Sequence, residues 1–130
     1  DIHHPIGPSL YYHQQEAEAR RRAAVFHQQR LPRFLAYFER VLELNPAGPE
    51  YLAGGEHCYA DLSLFQVIRG LQYAFPRTMN THRARIPRTL TLVERVAARP
   101  GIQAYLQSDR RQPFNESGIF RHYPELDTVA

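Results

Sequence analysis

Residues 61–75, DLSLFQVIRGLQYAF, limit most strongly what this chain can become. Asp61 and Arg69 are their only charges, and apolar side chains fall on every face of a helical projection. Such a helix is stable in water only when other elements surround it, so it belongs in the middle of a domain. It is well short of the ~20 apolar residues that span a bilayer, so burial by protein is the better account. Pro76 ends it. The rest of the 130 residues must supply the covering layer, and a chain of that length buries roughly two-thirds of its unfolded surface.

The covering elements read as helices too, because no alternating β-branched run bounded by a hairpin turn is present. From Tyr12 to Arg30 the chain is built of strong helix formers, with Glu16 and Glu18 near the start, where the helix dipole favours acids. Tyr12, Ala19, Ala23 and Phe26 form its one narrow apolar face. Pro32 interrupts this pattern, and since proline is tolerated in a first turn, a second helix is expected to begin there. Leu31, Phe34, Leu35, Phe38, Val41 and Leu42 keep its spacing until the breaker run Asn45-Pro46-Ala47-Gly48-Pro49. A loop to Cys58 precedes the central helix, and a second loop is expected over 77–86. Pro87 then opens a helix carrying Leu90, Val93 and Ala97, and Pro100 a short one with Ile102, Tyr105 and Leu106. From Arg110 onward the turn formers predict an extended tail. The expected fold is all-α, a bundle of about five helices around the buried helix at residues 61–75.

The remaining composition excludes more than it suggests. The net charge is +3 and all 16 basic residues are arginine, but they are scattered and nearly matched by 13 acids. That reads as a solvated surface rather than a nucleic-acid footprint. No membrane span or signal pattern is visible. Cys58 has no second cysteine to pair with, so a reducing cytoplasm is the expected location. The opening Asp1-Ile2-His3-His4-Pro5 lacks an initiator Met, and the chain reads as a fragment or processed product. None of the seven histidines has an i, i+4 partner with a thiolate pair nearby, so no metal is expected. Asn115-Glu116-Ser117 matches a glycosylation sequon that would stay inert without a secretory signal. As a catalytic thiol Cys58 lacks a His–acid set, and the adjacent His57 points elsewhere on a helix start.

The sharpest local pattern is Cys58-Tyr59-Ala60-Asp61. An acid three residues after an N-cap reaches back to the cap N–H, a donor that a buried helix start cannot leave to water. With the following residues, YADLSLFQ, this stretch resembles the capping-box segment of the central helix of glutathione transferases. That family places Ser or Thr at the cap and an aliphatic residue before it, whereas this chain has Cys58 and His57. RLPRFLAYFERVL resembles the preceding helix, Ile86-Pro87 with Leu90, Leu92 and Val96 the following one, and ARPGIQAYLQSDRR a late segment of sigma- and pi-like members. Together they cover roughly residues 10 to 111 in the family's order.

The resemblance implies a division of labour. In the family a thioredoxin-like N-terminal domain binds glutathione and supplies the residue that activates its thiol, the thiolate being the nucleophile. The helical domain supplies most of the pocket for an apolar electrophile and part of a homodimer interface. This chain corresponds to the helical half alone. The resemblance therefore implies no catalytic residue here, no cofactor, glutathione as co-substrate of the whole protein, and inactivity of the isolated half. Ser9-Leu10-Tyr11-Tyr12 resembles the stretch lining the electrophile pocket in pi-like enzymes, with Tyr12 the better match and Tyr11 the alternative. Tyr12 packed simply in the core is equally compatible. Asp1 is similar in place to an acid that reaches the partner subunit's glutathione. The alternative function is a non-catalytic binding or assembly module of the same fold.

Overall fold

A computed structural model describes residues 11–128. Among these the regular structure is all helical. A 3₁₀ turn, Tyr12–Gln14, leads into α1 (Glu16–Val25), a π turn (Phe26–Arg30) and α2 (Leu31–Leu44). After the loop come α3 (Tyr59–Ala74), α4 (Pro76–His82), a 3₁₀ turn (Arg83–Arg85), α5 (Pro87–Ala97) and α6 (Pro100–Leu106). The tail ends in a 3₁₀ turn, Pro124–Leu126.

Two segments differ from expectation for identifiable reasons. α2 starts at Leu31 with Pro32 in its first turn, as expected, but no break separates it from α1. The Leu31 N–H bonds the Phe26 carbonyl five residues back, and this wide turn carries the helical path up to the residue before proline. α1 and α2 therefore follow one another without interruption. Residues 77–86, expected as a loop, instead hold α4 and a 3₁₀ turn, with Pro76 as the first residue of a helix rather than the stop of α3 alone.

Leu64, Phe65 and Ile68 of α3 are buried against Leu31, Leu35 and Leu42 of α2 and Leu92, Val93 and Val96 of α5. The helix is not covered on every side, however. Val67, 44% exposed, marks a face left open, and Leu62 is 37% exposed on another side. A smaller cluster joins Ala19 and Ala23 of α1 to Ala74, Phe75 and Leu126 of the tail.

Three buried carboxylates close three helix starts. Asp61, fully buried, accepts the Cys58 N–H at 2.8 Å and the Leu52 N–H at 2.9 Å, tying α3 to its preceding loop. Glu39 of α2 accepts the Arg88 and Thr89 N–H groups of α5, each at 2.9 Å, and the Thr89 hydroxyl at 2.9 Å. Asp127 of the tail does the same for α4, taking the Arg77 N–H at 2.7 Å, the Thr78 N–H at 3.0 Å and its hydroxyl at 2.8 Å. Both helices open with Pro-Arg-Thr, residues 76–78 and 87–89. Proline needs no acceptor, and the next two donors and the hydroxyl converge on one remote acid.

Candidate functional site

The open face of α3 and the facing side of α2 bound an apolar groove enclosing a cavity of about 280 Å³. Its walls include Phe26, Phe34 and Phe38 from the α1–α2 run and Val67, Leu71 and Phe75 from α3 and its end. Ile119 and Phe120 of the tail close it at one point, and among the described residues Arg30 is the one charged residue on its lining. The residues forming this site follow from two facts of the chain. The π turn carries Phe26 round toward Phe75, with ring centroids 5.8 Å apart, and α2 places Phe34 and Phe38 one turn apart on one side. Such a lining can hold an apolar molecule by burial.

Tyr12 lies beside this groove rather than on its wall. Its ring stacks on Tyr123 with centroids 3.8 Å apart and packs against the Ala19–Ala23–Phe75 cluster, as do Phe26 and Leu71, which line the groove. The hydroxyl donates to Glu125 Oε1 at 2.7 Å. Burial, then this bond and the Glu125 charge, push the phenol well above its ordinary range, while the same bond holds the Glu125 carboxyl below its own. The Tyr12 proton is therefore firmly held. Tyr11 is 72% exposed, its ring parallel to that of His13 at 5.9 Å. Asp1, Ser9 and Leu10 lie outside the described residues.

Cys58 and Asp61 are brought together at the start of α3, with Cys58 extended at the N-cap. His57 Nδ1 lies 3.7 Å from Asp61 Oδ2. Neither Cys58 nor Asp61 is on the groove lining. Among the described residues no three His, Cys, Asp or Glu side chains are placed to hold a metal ion, and no helix is long and apolar enough to cross a membrane.

Sequence reasoning missed the tail as part of the site. Ile119 and Phe120 reach the groove because Gly70 of α3 lacks a side chain, and a Cβ there would overlap the Phe120 ring. A lone glycine in an otherwise bulky apolar helix was the available signal for such a close approach.

Comparison with known proteins matches this arrangement to one family. The profile described as "Glutathione S-transferase, C-terminal domain" matches residues 1–109. "Glutathione S-transferase P 1" of Bufo bufo is 30% identical over 90 residues, covering 68% of this chain and 41% of the relative. "Glutathione S-transferase P 1" of Xenopus laevis is 32% identical over 81 residues, covering 62% and 36%. "Glutathione S-transferase P 2" of Bufo bufo is 33% identical over 86 residues, covering 65% and 39%. The chain thus spans about two-fifths of the length of these curated relatives. With a family profile matching most of its length and an all-helical fold, the chain belongs to the glutathione S-transferase C-terminal domain family.

Proposed function

We propose that this chain is the electrophile-binding half of a glutathione transferase, working with a thioredoxin-like half that holds glutathione and its activating residue. The groove between α2 and α3 carries the reading, since its walls are almost wholly hydrocarbon and aromatic. An apolar electrophile would gain roughly 25 cal/mol for each Å² it buries there, while the reacting thiolate is stabilised from the other half. Tyr12 would shape the groove through the buried cluster it shares with Phe26 and Leu71, and Tyr11, exposed at the same end of the chain, would meet substrate or the other half. Tyr37 and Leu44 of α2, off the groove, are each 60% exposed. We assign that surface to contacts with the rest of a homodimeric, cytoplasmic protein.

The test divides the two halves. The 130-residue chain alone should neither bind glutathione in calorimetry nor conjugate it to an aromatic electrophile. Joined to its thioredoxin-like half it should do both, with Tyr12→Ala altering KM for the electrophile more than for glutathione. A micromolar glutathione Kd for the chain alone would place a thiol site here and overturn the assignment. Binding of both ligands by the joined protein without turnover would instead favour a non-catalytic module.

A further inference from the structure

Asp61 and Arg69 are the two charges of α3, and only the first is accounted for by the cap of that helix. Arg69 is half-buried, and among the described residues no hydrogen-bond or ion-pair partner meets its guanidinium. Arg20, Arg21, Arg40 and Arg88, in contrast, each have a carboxylate at hand. Arg69 lines a cavity of about 230 Å³ between α3, α6 and the chain that follows α6. At ~100° per residue, its α3 wall of Leu62, Phe65 and Arg69 lies across the helix from Leu64, Val67 and Leu71, which face the apolar groove. Phe65, Ile102 and Leu106 give the cavity an apolar floor continuous with the core. Leu62 and Tyr105, 37% and 43% exposed, are large apolar side chains left at its rim.

The turn after α6, in which the Arg111 N–H donates to the Ser108 carbonyl at 3.1 Å, brings a second guanidinium to the same cavity. Arg111 is half-buried and lies 6.0 Å over the Phe114 ring, with no carboxylate paired to it among the described residues. None of the described residues on this lining is acidic. On its other side Arg69 borders a polar hollow with Arg83 and Glu94, but among the described residues Glu94 forms no ion pair with it. A guanidinium drawn from water without an acceptor is costly, and two of them on one small cavity repel each other. An oxyanion between them restores the lost hydrogen bonds in the forked, planar geometry that guanidinium offers a carboxylate.

We propose that this cavity is a binding site for a small aromatic carboxylate, whose acid group is taken by Arg69 and Arg111 and whose ring lies on Phe65, Leu62 and Ile102. The cavity is smaller than the ~300–1,000 Å³ of drug-sized pockets, and so suits an acid with a single ring. The assignment does not depend on what the groove between α2 and α3 binds.

NMR titration of the 130-residue chain with benzoate, benzamide, acetate and toluene tests it. Benzoate should shift the amide signals around Arg69, Ile102 and Arg111, and should bind about tenfold or more tightly than the neutral benzamide. Acetate, which has no ring to bury, should bind about tenfold more weakly than benzoate. Arg69→Gln and Arg111→Gln should each weaken benzoate about fivefold or more and leave benzamide unchanged. Arg111 stands outside the helices, so its variant decides the matter if Arg69→Gln fails to fold. Equal binding of benzoate and benzamide, or of benzoate by wild type and Arg111→Gln, removes the guanidinium role and overturns the proposal. Acetate binding as tightly as benzoate shows a bare positive surface and overturns the aromatic class. Benzoate shifts confined to Phe34, Val67 and Leu71, and displaced by toluene, put the acid in the groove and overturn the site. Absence of benzoate binding at millimolar concentration overturns it as well.

Discussion

Replacing Glu39 with alanine tests whether a carboxylate sent from one helix to the start of another matters as much as its burial suggests. Glu39 is 9% exposed, and its two oxygens hold the Arg88 N–H, the Thr89 N–H and the Thr89 hydroxyl. Thr89 is fully buried, so two of those donors have no water to turn to once the acceptor is gone. An orphaned buried donor costs ~1–3 kcal/mol and an ordinary N-cap loss ~0.5–2 kcal/mol, with some return because alanine has no charge to desolvate. The net expectation is about 2–3 kcal/mol, read as a fall in the urea midpoint without a change in slope. Glu39→Gln, which keeps one acceptor but turns an NH₂ toward the other donor, should fall between alanine and wild type. The pH dependence has a defined sign. Burial alone would raise the Glu39 pKa, but the bonds from Thr89 and Arg88 outweigh it and hold the carboxyl below its ordinary range. A folded-state value below the unfolded one stabilises fully above the unfolded pKa of ~4.3 and fades as pH falls through the lowered value. The gap between wild type and Glu39→Ala should therefore be constant from about pH 6 to 8 and shrink in acid. A variant within ~0.5 kcal/mol of wild type at pH 7, or a gap undiminished in strong acid, would refute the reasoning.

The other helix starts yield companion tests. Asp61→Ala should cost about 1–2 kcal/mol, and more if the Leu52 loop loosens with it; an unchanged denaturation midpoint would refute the capping role. Cys58→Ser should stabilise by several tenths to ~1 kcal/mol, because a hydroxyl accepts the Asp61 N–H better than a thiol does; a clear loss would show that Cys58 packs as a small apolar residue. Tyr12→Phe should cost ~1 kcal/mol by stranding the Glu125 carboxylate, and should also move the Glu125 pKa upward in a carbon-detected NMR titration; an unmoved carboxyl would mean the hydroxyl bond contributes little.

The contrast among the three caps shows what a linear reading can reach. Asp61 caps a helix that starts three residues before it, so its role is visible from spacing alone. Glu39 and Asp127 cap helices 49 and 50 residues away, and nothing local to either acid marks it. The signal lay at the receiving end. Two Pro-Arg-Thr starts, each offering two backbone donors and a hydroxyl with no acid three residues on, require an acceptor from elsewhere. The same logic explains 77–86. Its polar sequence, RTMNTHRARI, reads as loop because α4 has little helical periodicity of its own. It folds because Asp127 closes its first turn while Met79 and Ile86 are buried in the core. For α2, α3 and α5 the apolar spacing was sufficient, since each buries a continuous stripe and the stripe itself is the driving force. The groove was harder to read, because Phe34 and Val67 fit helical stripes as well as Leu35 and Ile68 do. Periodicity shows that a side chain faces a neighbouring helix, and only the relative placement of α2 and α3 shows where no neighbour arrives. The seat for the tail depends on a single missing side chain at Gly70, whose effect exists only once Phe120, 50 residues on, has been brought against it. Contacts between elements far apart in the chain thus decide both the second and third caps and the open end of the groove, while contacts within one helix turn decide the rest.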